Sequence, residues 1–161
     1  WMKIHRNGEI DKQRYWRIPT CGQDRKMQEN EAVELLDEKL TQAIKRRLLS
    51  DVPVGTFMSG GIDSSTMSAI AAQLKPGIKA FTLGYNEEAS ELDEVQQAQD
   101  TAALHSMEHI IERVEPESCL HNLGAWVEGY EEPYYSLAPN HVISELASEN
   151  VVLSFSGTSS T

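Results

Sequence analysis

The chain has 161 residues, 40% of them apolar and 7% aromatic; it can bury one core, which excludes a disordered acidic tail or a collagen-like repeat. Fourteen basic residues against 25 acidic ones leave a formal charge of −11. The field of the whole chain therefore repels phosphate and excludes nucleic acid or an anionic lipid surface as a bulk electrostatic partner, so a phosphate must be gripped by local backbone geometry.

Residues 1–30 are polar and irregular, with Arg14-Tyr15-Trp16-Arg17-Ile18-Pro19 as their apolar feature; they read as a linker or short edge hairpin. From Glu31 the pattern changes. Val33, Leu36, Leu40, Ile44 and Leu48 recur at three- and four-residue steps, the spacing of one helix face. Acidic residues in its first half and Lys45, Arg46 and Arg47 near its end suit the helix dipole. Pro53 ends it. A strand is predicted over 54–58, a helix over 66–74 stopped by Pro76-Gly77, and a strand over 78–85. A helix over 92–104, a strand over 108–114, helices over 118–127 and 140–148, and a strand over 151–155 follow. Strands separated by helices imply parallel crossovers, and so an α/β fold: an open, mostly parallel sheet with helices on both faces. The division expected is 1–30 as linker or edge segment and 31–161 as the domain.

No apolar run approaches the roughly 20 residues that cross a bilayer, so no membrane span is expected. Cys21 and Cys119 make neither a disulfide framework nor a metal cluster, which suits a reduced, cytoplasmic protein. The chain opens Trp1-Met2-Lys3-Ile4, without the regions of a signal peptide. That opening, and a last strand running into Ser156-Gly157-Thr158-Ser159-Ser160-Thr161, read as two truncations.

The informative motif is Ser59-Gly60-Gly61-Ile62-Asp63-Ser64-Ser65, between a predicted strand and a predicted helix. Adjacent glycines allow backbone geometry that lets successive N–H groups face an anion. The serines supply hydroxyl donors, and the following helix presents its positive end. Asp63 would repel bare phosphate, a conflict that Mg²⁺ between carboxylate and phosphate removes. A plain Gly-Gly turn capped by Asp63 and Ser64 is the alternative; the order strand, glycines, Asp, serines, helix favours the phosphate loop. No Gly-Lys-Ser/Thr is present, so it is not a Walker A loop.

The stretch Asp51-Val52-Pro53-Val54-Gly55-Thr56-Phe57-Met58-Ser59-Gly60-Gly61-Ile62-Asp63-Ser64-Ser65 resembles the pyrophosphatase loop of glutamine-dependent asparagine synthetases. The synthetase domain of that family is an N-type ATP pyrophosphatase with an adenine nucleotide alpha-hydrolase-like fold. Arg14 to Pro19 resembles the family's interdomain join, Phe81 to Tyr85 its second strand, Glu131-Glu132-Pro133 its acidic turn and Val151 to Ser154 its later nucleotide-side strand. The resemblance implies that Ser59, Gly60, Gly61, Ser64 and Ser65 wrap the pyrophosphate of ATP and that Asp63 holds Mg²⁺. It also implies that Met58 and Leu83 contact the adenosine, with Ser156 and Gly157 on the nucleotide side. The reaction implied is ATP-dependent activation of an aspartate side-chain carboxylate as an acyl-adenylate, then amidation by ammonia. In the family that ammonia comes from glutamine, in a glutaminase domain of the same chain.

The sequence also departs from that pattern. The family's Ser-Gly pair survives as Ser156-Gly157, displaced two places by Ser154-Phe155, and Thr158 stands where the family has an acidic residue. No second Mg²⁺-binding Asp follows, the stretch 134–139 is shorter than the family's loop, and neither cysteine is a glutaminase nucleophile. The isolated chain is thus expected not to make asparagine from aspartate, glutamine and ATP. Two alternatives stay open: a related amidotransferase or β-lactam-synthetase-like enzyme acting on another carboxylate, and a non-catalytic nucleotide-binding or structural remnant. His105, His109 and His121 lack ligand spacing and read as local hydrogen-bonders. Trp126, Tyr130, Tyr134 and Tyr135 read as a pocket floor or a packing cluster. Glu87, Glu88, Glu91, Asp93 and Glu94 read as a solvated loop and helix start.

Overall fold

The computed structural model describes residues 1–18, 27–85, 94–115, 123–130 and 137–156. Contacts divide the chain into Trp1–Leu35 and Leu36–Thr161. In the first unit β1 (Met2–Ile4) pairs antiparallel with β2 (Ile10–Lys12). Gly8, at φ +88°, lies in the intervening turn.

In the second unit, β3 (Val54–Phe57), β4 (Lys79–Tyr85), β5 (Glu108–Val114) and β6 (Leu153–Phe155) form one sheet in the order β5-β4-β3-β6. Every pairing in it is parallel, with Thr56 opposite Ala80 and Phe155, and Ala80 opposite His109. The expected open parallel sheet is therefore present. The helices are α1 (Glu29–Arg47), which begins in the first unit, α2 (Ile62–Leu74), α3 (Val95–Leu104), α4 (Leu123–Tyr130) and α5 (Leu137–Ser148).

Successive side chains in a strand point to opposite faces, and β4 shows which helices lie where. Ala80 packs with Ala98 and Ala102 of α3, whereas the next residue, Phe81, packs with Ala147 and Ile143 of α5. On β3, Thr56 bonds Ser68 of α2 while Phe57 joins the Phe81 cluster. Ile44 of α1 packs with Ile70 and Ala71 of α2. The sheet is covered on both faces, which is why β3 and β4 read as nearly continuous apolar runs.

Phe81 is fully buried and meets Phe57 edge to face, centroids 6.5 Å apart. Its ring lies so close over Gly55 that an added Cβ there would come within 2.5 Å of Phe81 Cε2. That close approach accounts for a glycine in the middle of a buried strand.

Three expectations need correction. The helix predicted over 66–74 begins at Ile62, because the chain turns only through Ser59–Gly61 and residues 62–65 already form its first turn. The α1 stripe is half used: Leu40, Ile44 and Leu48 pack in the core, while Val33 and Leu36 are exposed. The last strand starts at Leu153, and Val151 instead packs with Phe81 and Ala147. Residues 86–93, 116–122 and 131–136 fall outside the described residues, as do both cysteines, His121, Tyr134 and Tyr135.

Phe81→Ala is expected to cost about 3–5 kcal/mol, from lost transfer energy plus the cavity left between sheet and α5. Against a typical total of about 5–15 kcal/mol this is a large fraction. Urea unfolding followed by circular dichroism would measure it.

Candidate functional site

Chain order in the sheet runs from β3 to β4 to β5 in one direction and then returns to the other side of β3 with β6. Open α/β sheets bind ligands outside the carboxyl ends of the strands at such a reversal. A cavity of about 260 Å³ lies there. Phe57, Met58 and Ser59 contribute from the end of β3, Leu83 and Tyr85 from β4, and Ser156 from the end of β6. Ser64 from α2, Glu94 beside α3, and Asn140 and Ile143 from α5 complete the lining.

Of the residues singled out in the sequence, Met58, Ser59, Ser64, Leu83 and Ser156 come together in this cavity. Gly60, Gly61, Asp63 and Ser65 border it in the chain without lining it, and Gly157 lies outside the described residues. The two-residue displacement of Ser156 has a simple consequence. Ser154 and Phe155 extend β6 alongside Gly55 and Thr56, so Ser156 arrives level with the end of β3.

The loop is held by its own hydroxyls. Ser64 Oγ donates to the Gly61 carbonyl at 3.2 Å and accepts from the Ser59 N–H at 3.1 Å. Ser59 Oγ lies 2.9 Å from Ser64 Oγ and accepts from the Gly61 N–H at 3.3 Å. A hydroxyl has one proton, so the protons of both serines are committed inside the loop. What remains for an anion is the foot of α2. Gly61 caps that helix without a side-chain hydrogen bond, which leaves its first N–H groups without a side-chain acceptor. Ser65 Oγ is buried there without a partner.

The two glycines differ. Gly60 has φ +91°, and a Cβ on it would come within 2.4 Å of the Glu94 carbonyl oxygen. Gly61 is at φ −66° and ψ 158°, a conformation open to any residue, and its nearest neighbour would be Ser59 Oγ at 3.4 Å. Only Gly60 is required by backbone conformation, and the obstacle to a side chain there is the backbone at the start of α3. Asp63 is exposed on the first turn of α2. Among the described residues no group of three His, Cys, Asp or Glu side chains converges as a metal site.

Sequence reasoning missed several contributors. Glu94, read as part of a solvated acidic run, is exposed yet lines the cavity and packs its backbone on Gly60. Phe57 and Tyr85 could have been found from their places at strand ends, whereas Asn140 and Ile143 carry no local signal. Thr82 is fully buried, and its hydroxyl donates to the Met58 carbonyl at 2.6 Å and lies 2.8 Å from His109 Nε2. His109 was expected to hydrogen-bond locally; its partner instead lies on the neighbouring strand, 27 residues earlier in the chain. Trp126 packs on His141, ring centroids 5.6 Å apart, and does not line the cavity.

An open parallel sheet with a glycine loop and an uncapped helix foot at its carboxyl edge is the layout in which α/β domains take anionic ligands. The asparagine synthase family model matches residues 35–160, and the chain belongs to that family of ATP-dependent amidoligases. It is similar to glutamine-hydrolyzing asparagine synthetase 1 of Bacillus subtilis, 30% identical over 132 residues, covering 81% of this chain and 21% of that protein. A putative glutamine-hydrolyzing asparagine synthetase 2 of Methanocaldococcus jannaschii is 30% identical over 155 residues, covering 92% of this chain and 29% of its own length. Amidase chyE of Penicillium rubens is 34% identical over 88 residues, or 46% of this chain and 13% of its own. The chain spans less than a third of the length of these relatives.

Two outcomes follow. Gly60→Ala should destabilise the chain by about 1–2 kcal/mol from the left-handed backbone alone, plus the overlap with Glu94. Gly61→Ala should cost under about 1 kcal/mol; thermal melts of both variants compare them. Burial pushes the His109 imidazole below its ordinary 6.5. Its contribution is therefore fully present above about pH 6.5 and is lost as pH falls from there to the lowered folded value, because the unfolded chain takes up the proton first. Urea titrations across that window should show this slope, and His109→Gln should remove it.

Proposed function

We propose that the cavity takes ATP with Mg²⁺ and that, within its complete protein, this domain activates a carboxylate for amidation. The observation that carries the reading is an apolar-walled cavity that Ser59 and Ser64 line and that the uncapped foot of α2 borders in the chain. Leu83 and Ile143 offer surface for a purine beside the fully buried Met58, while Ser59 and Ser64 set the loop that ends at the first N–H groups of α2. The charged residue among the described lining is Glu94, so backbone dipoles rather than cationic side chains would meet the phosphates. Family membership supports ATP use.

The chemistry fits this donor set. A carboxylate is a poor electrophile until one of its oxygens becomes a leaving group. Attack of a carboxylate oxygen on the α-phosphorus breaks the bond to the bridging oxygen and releases pyrophosphate. Ammonia then adds to the acyl carbon and AMP departs. The backbone N–H groups at the foot of α2 would stabilise charge on the departing pyrophosphate. Asp63, on the exposed side of the same turn, would hold Mg²⁺ together with phosphate oxygens and water, the arrangement that ion prefers. Mg²⁺, when bound, supplies charge neutralisation on the leaving group.

Aspartate as the acceptor, glutamine as the nitrogen source through a glutaminase domain of the same protein, and a cytoplasmic location are proposed on family membership. The similarity to Amidase chyE over nearly half the chain supports a second reading, in which the same adenylating loop serves a different carboxylate. Carboxylate-dependent exchange between ATP and labelled pyrophosphate, run on the complete protein with aspartate and with other acids, separates the two readings.

For the chain itself, ATP is expected to bind near millimolar, about 4 kcal/mol, because the −11 charge opposes it. Mg²⁺ should tighten binding, and Asp63→Asn should remove most of that effect while leaving metal-free binding equal or better. Gly60→Val should abolish binding by displacing the loop from Glu94. Titration calorimetry with and without Mg²⁺ tests this; a Mg²⁺ effect that survives Asp63→Asn would remove the metal role of that carboxylate.

A further inference from the structure

The peptide between Met58 and Ser59 is where β3 becomes the loop, and it is gripped at both ends. Its carbonyl accepts from the buried Thr82 hydroxyl at 2.6 Å, and its N–H donates to Ser64 Oγ at 3.1 Å. The preceding N–H, that of Met58, donates to the Phe81 carbonyl at 2.9 Å. Because a peptide unit is planar, fixing the carbonyl and the N–H fixes the direction in which the chain leaves the sheet. Gly60, with its positive φ, is the next residue but one.

Counting protons extends the grip to β5. Thr82 has one hydroxyl proton, and a carbonyl oxygen can only accept. That proton therefore goes to Met58, and Thr82 Oγ1 must accept from the His109 Nε2 that lies 2.8 Å away. The Nε2–H form is thus required in the folded chain. We propose that His109 is a positioning residue for the glycine loop, acting through Thr82 on the Met58–Ser59 peptide. Burial favours the neutral imidazole, in which Nδ1 is the unprotonated nitrogen. If Nδ1 takes a proton, Nε2 still donates, so the grip does not depend on protonation of the ring. The effect on nucleotide rests on the function proposed above; the positioning of the loop does not.

The test compares the chain with His109→Leu and His109→Gln, whose side-chain amide nitrogen can replace Nε2–H as a donor. Nitrogen-15 NMR of wild type should show His109 in the Nε2–H form. Hydrogen exchange at the Ser59 and Gly61 amides should quicken about tenfold in His109→Leu and return toward wild type in His109→Gln, the scale expected for one buried hydrogen bond. Mg²⁺–ATP titrated by calorimetry should bind about tenfold more weakly to His109→Leu and within about threefold of wild type to His109→Gln. An Nδ1–H form in wild type, or loop exchange equal in all three proteins, would overturn the proposal. If wild type bound no ATP while the exchange pattern held, the nucleotide reading would fall and the positioning role would stand. If His109→Leu did not fold, the wild-type tautomer and the exchange of His109→Gln would decide.

Discussion

The cleft depends on how β3 ends. That strand is paired on both sides, by β4 and by β6, and its interior is buried, so it is among the least adjustable parts of the second unit. Its last peptide is held by Thr82, and the chain then turns at once through Gly60 against the Glu94 carbonyl. Three separate elements, β4, α2 and the start of α3, thereby meet at one short turn. Hydrogen bonds of this kind each contribute only about 1 kcal/mol. Their value lies in removing alternatives to one loop geometry.

The electrostatics of the cleft is a matter of dipoles more than of side-chain charge. With a formal charge of −11 and Glu94 in the lining, this chain places no cationic side chain among the described lining residues. Polyphosphate would be met by oriented N–H groups, which are short-ranged and act only when the backbone is correctly aimed. Loop geometry would then have to offset the repulsion of the net charge. The dense hydrogen bonding of Ser59 and Ser64 follows the same logic: their hydroxyls spend their protons on shape.

Much of this was legible in the residues. The alternation of short apolar runs with helical stretches foretold the parallel sheet, and the Ser-Gly-Gly turn after Met58 marked the sheet edge where the cavity lies. The misreadings have physical causes. Ile62, Asp63, Ser64 and Ser65 look like loop because Ser and Asp favour turns, yet the same residues suit the first turn of a helix. Periodicity identified the α1 stripe but not which part of it finds a partner, since Val33 and Leu36 have the same spacing as Leu40 and Ile44. Glu94 was hidden inside an acidic run. Asn140 belongs to the cleft only through the packing of α5, and the link from His109 through Thr82 joins two strands by tertiary register. Local pattern carries neither.

The return of β6 to the far side of β3 also bears on how the cleft is assembled. Gly55 pairs with Lys79, 24 positions away, but also with Ser154, 99 positions away. The entropy of closing a loop rises with the logarithm of its length, so two doublings add about 1.2 kcal/mol to the cost of the second pairing. Made during synthesis from the amino end, the loop, β4 and β5 all exist before the wall that carries Ser156 leaves the ribosome. The half of the cleft built from β3 and β4 is the part with local contacts, and the β6 half is the part that contact order makes slow.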